Sequence, residues 1–286
     1  MQILITGGTG TLGQALIKQL TLQKWNNIWV FSRDENKQKA LQKKYPQLNF
    51  IVGDVSNSED ISEIGDIVYD HIYHCAAMKH IEICESHVIK CNRVNFEGTV
   101  NLYRAYGHKA DMFTFFSTDK AVAPINAYGY SKAMAEKYLS NFKNVQIFRW
   151  GNILGSTGSV LPILCECCAE NKIFTVTDAI MTRFWVHIDE AAKFVCQNKH
   201  HTGTTAIYPP EMVSSSLDTL INAVEVIFGK KIKRKVIGKR PGEKKHEAMI
   251  ANYDGVKHTS ASKCMDVTDM VEHIYPWVIQ WKKSKK

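Results

Sequence analysis

Short apolar runs alternate with amphipathic stretches along the first half of the chain. The runs Gln2–Thr6, Asn27–Phe31 and Met112–Phe116 have strand length and few polar positions, which predicts strands buried on both faces. LNFIVGDVSN supplies another ending at Asp54 and Val55, IVYDHIYHCAAMKH one ending at Ala76 and Ala77, and VQIFRWGNILG a sixth ending at Gly151 and Asn152. The helix pattern begins at Gln14–Leu22, and four strand and helix alternations are complete by residue 105. That order predicts an α/β fold, a Rossmann-like doubly wound parallel sheet.

Beyond Gly155 the pattern loosens. GSTGSVLPIL reads as a loop entering a helix, TDAIMTRFWVHIDEAAKFV as a short hairpin-like segment and a helix, and Thr204–Tyr208 as a strand. A helix near Ser216–Phe228, a basic strand over Lys231–Ile237 and the loop GKRPGEKKHE follow. The expected division is a nucleotide-binding domain over 1–155 and a smaller mixed α/β substrate lobe over 156–286, with 183–200 packing back on the first.

Composition narrows the class. With 286 residues, 45% apolar and 22% charged, the chain has the make-up of a globular protein. No stretch approaches the roughly 20 apolar residues of a membrane span. The opening MQILITGG is already a strand, from which a cytoplasmic location and no membrane partner are expected. Eight cysteines are scattered without a CxxC pair; Cys165, Cys167 and Cys168 fall in an amphipathic helix pattern and read as small buried hydrophobes, with no metal expected. The net charge of +8 is spread over KQKALQKK, GKKIKRK and WKKSKK, without the aromatic interleaving of a nucleic-acid binder. It reads as solvated faces and a field for an anion such as a nucleotide diphosphate.

Two stretches carry candidate chemistry. TGGTGTLG places Gly7, Gly10 and Gly13, with Thr9, Thr11 and Leu12, between the first strand and the first helix, where bare backbone and a helix amino end can meet a pyrophosphate. After the second strand come Ser32, Arg33 and Lys37, basic groups that favour the 2′-phosphate of NADP, while Asp34 leaves NAD open. Asp54 and Val55 are placed for the adenine edge, and the small Ala76 and Ala77 let backbone pass near a cofactor.

The second stretch, STDKAVAPINAYGYSK over 117–132, sets Ser117, Thr118, Asp119 and Lys120 at a strand end and then Tyr128 four residues before Lys132. On a helix these share a face, and the ammonium would favour the phenolate, making tyrosine a base. Adjacent residues on a strand face opposite ways, so joint action by Asp119 and Lys120 requires the chain to have left the strand. Tyr130 lies on the wrong face and is expected to pack; His74 and His80 are expected to be structural or supporting.

These phrases resemble the extended short-chain dehydrogenase/reductase superfamily. With VFSRDENKQ, AAMKH, FRWGNILGSTGSVLP, TDAIMTRFW and IGKRPGEKKHEAMI in order, the chain more narrowly resembles inverting UDP-N-acetylglucosamine 4,6-dehydratases of flagellin-sugar and polysaccharide biosynthesis. The resemblance implies a tightly bound NADP recycled within each turnover: oxidation at C4, loss of water across C5 and C6, and hydride return to C6. It implies that Tyr128 takes the C4 hydroxyl proton, Lys132 lowers its pKa and holds the nicotinamide ribose, and Thr118 binds near the reacting oxygen. Lys120, kept neutral by burial and a nearby ammonium, would be the C5 base and Asp119 the acid. Ser117 and Lys79 would flank the cofactor, with Lys79 also near the sugar. Asn152, Ser156, Gly158, Ser159 and Val160 would meet the nucleotide sugar, and Arg240 and Glu243 the diphosphate.

Arg183 reads equally as a ligand contact or a buried structural arginine. Thr157 stands where the family pattern has arginine, and the region after YPWVIQWKK is shorter than that pattern, so a trimmed substrate lobe is expected. The family implies a homo-oligomer, dimer or hexamer. Alternatives are the fucosamine or rhamnosamine branch, which carries methionine at the Tyr128 position, a C4 epimerase, and a non-catalytic NADP-binding sensor.

Overall fold

The structure is a computed structural model that describes residues 1–25, 27–198, 206–207, 212–252 and 255–285. The chain runs β1 (Ile3–Thr6), α1 (Thr11–Leu22), β2 (Ile28–Ser32), α2 (Glu35–Lys44), β3 (Asn49–Val52), α3 (Ser58–Ser62), β4 (His71–His74), α4 (Ile81–Ser86) and α5 (Val88–Asn92). A π-helical turn over Arg93–Glu97 leads into α6 (Gly98–Ala105), β5 (Met112–Thr118), a 3₁₀ turn over Asp119–Ala121, α7 (Ala127–Leu139) and β6 (Val145–Trp150). Then come β7 (Asn152–Leu154), α8 (Val160–Glu170), β8 (Ile173–Val176), β9 (Thr182–His187), α9 (Ile188–Gln197) and β10 (Ala206–Ile207). The last elements are β11 (Val213–Ser216), α10 (Leu217–Phe228), β12 (Lys233–Val236), β13 (Ala248–Asn252), β14 (Gly255–Thr259) and α11 (Val267–Ser284). Of the expected strand Thr204–Tyr208, residues 204, 205 and 208 lie outside the described residues.

Contacts divide the chain into one unit of residues 1–149 and 189–210 and a second of 150–188 and 211–286. The first unit holds the seven-stranded sheet, in the order β10-β6-β5-β4-β1-β2-β3. β1 pairs in parallel with β2 and β4, and β4 with β5, so the predicted doubly wound sheet is present. The order reverses at β1, which brings the carboxyl ends of β1 and β4 side by side where such sheets bind ligands. Its strands read as apolar runs because both faces are covered: β1, β4 and β5 are buried throughout. Leu4, Phe31, Ile72, Phe113, Phe115 and Ile147 form the centre of one core, with Leu102, Ala135 and Leu139 packed on it from the helices.

The sixth strand ends at Gly151 as expected, and the second unit adds two features that were not. A further strand, β7, follows at once, and a Cβ at the Gly151 between β6 and β7 would lie 2.4 Å from the Phe184 Cβ. The expected hairpin around TRFW is instead β9, the central strand of a three-stranded sheet between β11 and β7. Trp185 fixes it by donating from its indole Nε1 to Ser215 Oγ at 2.8 Å. Cys165, Cys167 and Cys168 on α8 are buried in this unit's core beside Leu220, Ile221, Ile274 and Val278. Among the described residues no helix is long and apolar enough to cross a membrane.

Candidate active site

β1 ends in a turn at Gly7, whose φ of +65° is a left-handed conformation that favours glycine. A Cβ at Gly7 would sit 2.7 Å from the Ala76 backbone nitrogen, so the turn and the chain leaving β4 touch through bare backbone. Gly13 lies in the first turn of α1, where a Cβ would be 2.5 Å from the Gly8 Cα; its absence lets the helix lie against the turn. The helix begins at Thr11, earlier than its apolar pattern suggested, with Gly10 as N-cap and no side chain capping it. No capping side chain thus stands between the positive end of the helix dipole and a ligand.

A cavity of about 250 Å³ opens at this point. Its walls include Gly7, Thr9, Gly10, Ser32, Arg33, Lys37, Asp54, Val55, Ala76 and Ala77, all expected at a cofactor, and Asp34, which left NAD open, together with Phe31, Gly53, Cys75 and Val94, which the motifs did not single out. Phe31 and Gly53 could have been found from their places at adjacent strand ends. Thr11, Leu12, Gly13, Lys79, Ser117, Tyr128 and Lys132 are not among its walls. Bare backbone, an uncapped helix end and basic groups at the ends of parallel strands fit the phosphates of a dinucleotide.

At the rim Arg33 Nη1 donates to Asp54 Oδ2 at 3.1 Å, and Lys37 pairs with Asp34 at 3.0 Å. Asp34 also accepts from the Lys37 backbone amide as N-cap of α2, so its carboxylate serves the helix start. Burial tends to raise the Asp54 pKa, but hydrogen bonds from Ser56 and the Arg33 charge outweigh it and hold the carboxyl below its ordinary value.

The second constellation stands at the end of β5, which runs two residues further than the apolar run and includes Ser117 and Thr118. The chain then leaves the strand in the Asp119–Ala121 turn, as joint action by Asp119 and Lys120 requires. Lys120 Nζ donates to Asp119 Oδ1 at 2.9 Å, and Thr118 Oγ1 donates to the same oxygen at 2.9 Å. The Asp119 side chain is 0% exposed and that of Lys120 11%. Asp119 Oδ2 and Ser117 Oγ are buried without a hydrogen-bond partner. A group bonded to Lys120 is therefore the Asp119 carboxylate, because the tight turn folds the Lys120 side chain back on its predecessor.

α7 is placed against this turn by backbone. Asn126 caps it, accepting from Gly129 N at 2.7 Å, and Glu85 Oε1 accepts from Ala127 N at 2.6 Å. A Cβ at Gly129 would lie 2.3 Å from the Lys120 carbonyl oxygen, so only glycine allows this approach. Behind the helix, fully buried Asn95 in the π-helical turn donates to Met78 O at 2.9 Å and to Ser131 Oγ at 3.0 Å, and accepts from Met78 N at 2.8 Å. It ties the segment after β4 to α7, a role that no spacing announced.

Tyr128 and Lys132 do share α7, but the electrostatics differ from the expectation. Burial pushes the Tyr128 phenol above its ordinary pKa, opposed by a hydrogen bond with Thr118 and reinforced by the nearby Asp119 charge. Lys132 is itself buried, its Nζ 3.8 Å from the centre of the Phe115 ring. Burial brings its pKa down to about 7, against the opposing pull of Glu136. Both groups resist charge, so desolvation overrides the pairing that helix spacing suggested.

The remaining candidates separate cleanly. His74 accepts or donates at both ring nitrogens, to Thr6 Oγ1 at 2.7 Å and Thr99 Oγ1 at 2.9 Å, and burial lowers its pKa to about 3, the sign of a neutral structural ring. His80 and Lys79 are exposed after β4, and Tyr130 is 54% exposed, so the expected packing of Tyr130 is not found. In the second unit, buried Arg183 donates from Nη1 to Thr182 O at 2.8 Å and to Lys245 O at 3.4 Å, which favours its structural reading. Glu243 accepts from Arg240 N at 3.1 Å, while Gly242 takes φ +78°. Its carboxylate shapes the turn that carries Arg240. Gly155 (φ +75°) and Gly158 (φ +74°) bracket Ser156 and Thr157 ahead of Ser159, the N-cap of α8 that begins at Val160; Asn152 opens β7.

Known proteins share this architecture. The chain is 35% identical over 265 residues to the inverting UDP-N-acetylglucosamine 4,6-dehydratase of Campylobacter jejuni subsp. jejuni serotype O:2, covering 88% of this chain and 78% of that protein. It is 34% identical over 270 residues to a UDP-glucose 4-epimerase of Rickettsia akari, covering 89% and 79%. The X-ray structure of Pen from Bacillus thuringiensis superposes with a TM-score of 0.87 at 26% identity, over 96% of this chain and 97% of that one. With residues 3–269 matching its family model, the chain belongs to the polysaccharide biosynthesis protein family.

Proposed function

We propose that the chain is an NADP-dependent nucleotide-sugar 4,6-dehydratase that converts UDP-N-acetylglucosamine to a UDP-4-keto-6-deoxy-N-acetylhexosamine with inversion at C5. The observation that carries this reading is the buried Asp119–Lys120 pair bonded to Thr118 beside Tyr128. An epimerase needs only to oxidise and re-reduce C4, whereas elimination needs an acid and a base of its own. The epimerase relative makes C4 epimerisation the second reading.

The glycine turn and the amino end of α1 would hold the pyrophosphate, Ser32, Arg33 and Lys37 the 2′-phosphate, and Asp54 and Val55 the adenine. Ala76, Ala77, Lys79 and Ser117 would flank the nicotinamide half, which supplies an acceptor for the C4 hydride and returns it at C6. Tyr128 takes the C4 hydroxyl proton; Lys132 holds the nicotinamide ribose. Proton transfer from Lys120 to Asp119 along their 2.9 Å bond leaves an amine and a carboxylic acid. The amine removes the C5 proton made acidic by the 4-keto group, the acid protonates the departing C6 hydroxyl, and once the hydride has returned to C6 the proton that Tyr128 took from the C4 hydroxyl goes to C5. We assign cofactor binding to 1–155 and substrate binding to 156–286, where Asn152's neighbours Ser156, Gly158, Ser159 and Val160 and the diphosphate group Arg240 are supported by the family resemblance.

Incubation with UDP-N-acetylglucosamine should give 4-keto absorbance and a product lighter by one water in mass spectrometry. A product of unchanged mass with inverted C4 would establish the epimerase reading instead.

A further inference from the structure

α2 is polar almost throughout, ENKQKALQKK, and only Gln38 and Leu41, three apart on one face, are buried in it. Leucine is ordinary at such a place. Glutamine is not, because an amide that goes inside must find partners there.

Gln38 finds them at the ends of two strands. Its Nε2 donates to Ile51 O of β3 at 2.7 Å and to Ser32 O of β2 at 2.9 Å, and it lies 3.0 Å from Ser32 Oγ. The amide fits only this way round, since the reverse would press Oε1 against both carbonyl oxygens. Ser32 O also accepts from Gly53 N at 3.1 Å, so both of its lone pairs are taken.

An amide NH₂ group donates and does not accept. The Ser32 hydroxyl can therefore only receive from Gln38, and its own proton must point elsewhere. Among the described residues no acceptor holds that proton, while Ser32 is 7% exposed and lines the cavity beside Arg33 and Lys37.

We propose that Gln38 is a positioning residue for cofactor choice: it holds the Ser32 hydroxyl as a one-way donor into the cavity, matched to an acceptor-only anion such as the 2′-phosphate of NADP. The inference rests on the NADP reading above. A hydrogen bond given to a phosphate is charge-assisted, whereas the ribose hydroxyl that NAD offers instead is a neutral partner with a proton of its own. Gln38 is not among the cavity walls, so it acts through Ser32.

Titration of the full chain with NADP and with NAD, each alone, tests it. Ser32→Ala should weaken NADP binding about 10-fold, the loss of one charge-assisted hydrogen bond, and leave NAD binding nearly unchanged. Gln38→Met, similar in shape but without a donor, should reproduce that selective loss. Ser32→Ala combined with Gln38→Met should be no worse than Ser32→Ala alone, since both remove the same contact. Gln38→Glu puts an acceptor where the donor stood and takes the Ser32 proton, so it too should weaken NADP selectively, and it decides the matter if the methionine variant does not fold. Equal weakening of NADP and NAD by Gln38→Met would make Gln38 a strut between β2 and β3 and overturn the proposal. So would additive losses in the double variant, or an unchanged NADP affinity in Ser32→Ala or Gln38→Glu. A wild-type chain that binds NAD as tightly as NADP would sink the NADP reading itself, a different result from a preference for NADP that ignores Gln38.

Discussion

Two ion pairs sit just past strand ends of the same sheet, and burial sets them different tasks. Arg33 and Asp54, after β2 and β3, keep side-chain exposures of 54% and 27%. Such a pair is worth only about 0–1 kcal/mol, so a phosphate can take Arg33 from Asp54 at small cost. Asp119 and Lys120, after β5, are 0% and 11% exposed, and one Asp119 oxygen has no partner. The Asp119 side of that pair is closed to water, and breaking it would strand a buried charge. The first pair is open to a change of partner, while the second is held by its burial.

Asp119→Asn is the severest way to break the contrast. It keeps the shape but removes the acid of the proposed dehydration, and product formation should fall about 10³-fold while reduced-nicotinamide absorbance still develops on mixing with substrate. Loss of both signals together would mean that the pair also serves oxidation. Gly129→Ala leaves every polar group in place and moves only the support. Its new methyl would meet the Lys120 carbonyl, and kcat should fall about 10²-fold with KM little changed, the scale of a 1 Å misplacement. An unaltered kcat would show that the turn can shift without harm.

At the exposed pair the expected effect is smaller. Arg33→Ala should weaken NADP binding roughly 10-fold in a titration and leave NAD binding nearly unchanged, the loss of one charge-assisted contact. Equal weakening of both would remove Arg33 from the 2′-phosphate. The gentlest probe is pH. Lys132, lowered by burial to about 7 from 10.5, binds fewer protons folded than unfolded between those values, so stability rises with pH across that window and its cost is fully present below it. Tm should climb between pH 7 and 9 by about 2–4 °C for each kcal/mol recovered, and Lys132→Met should flatten the climb.

The sheet was legible because its strands are apolar on both faces, a pattern that survives without knowledge of partners. The glycine turn, the strand exit at Asp119 and the helix carrying Tyr128 were legible because each is local. Less visible were features that depend on what approaches from elsewhere. Gly129 looks like any glycine until the Lys120 carbonyl is beside it, and Asn95 like any polar helix residue until Met78 and Ser131 close on it. The hairpin expected around Arg183 failed for the same reason: β9 finds its neighbours in β7 and β11, distant in sequence. The Tyr128–Lys132 pairing was misjudged because spacing tells which groups meet and not how dry the meeting place is.

The contact of Gly129 with the Lys120 carbonyl joins positions separated by a short loop. Closing so short a loop costs little chain entropy, and contacts of low sequence separation are the ones that form early. Once β5 has its place in the sheet, Asp119, Lys120 and Tyr128 can settle against one another through contacts close in sequence. The backing of that corner is less local, because β6 follows α7, lies beside β5 and pairs Arg149 with Glu136 of α7 at 2.6 Å, so a nascent chain can close the turn early but gains its full support only when β6 joins the sheet.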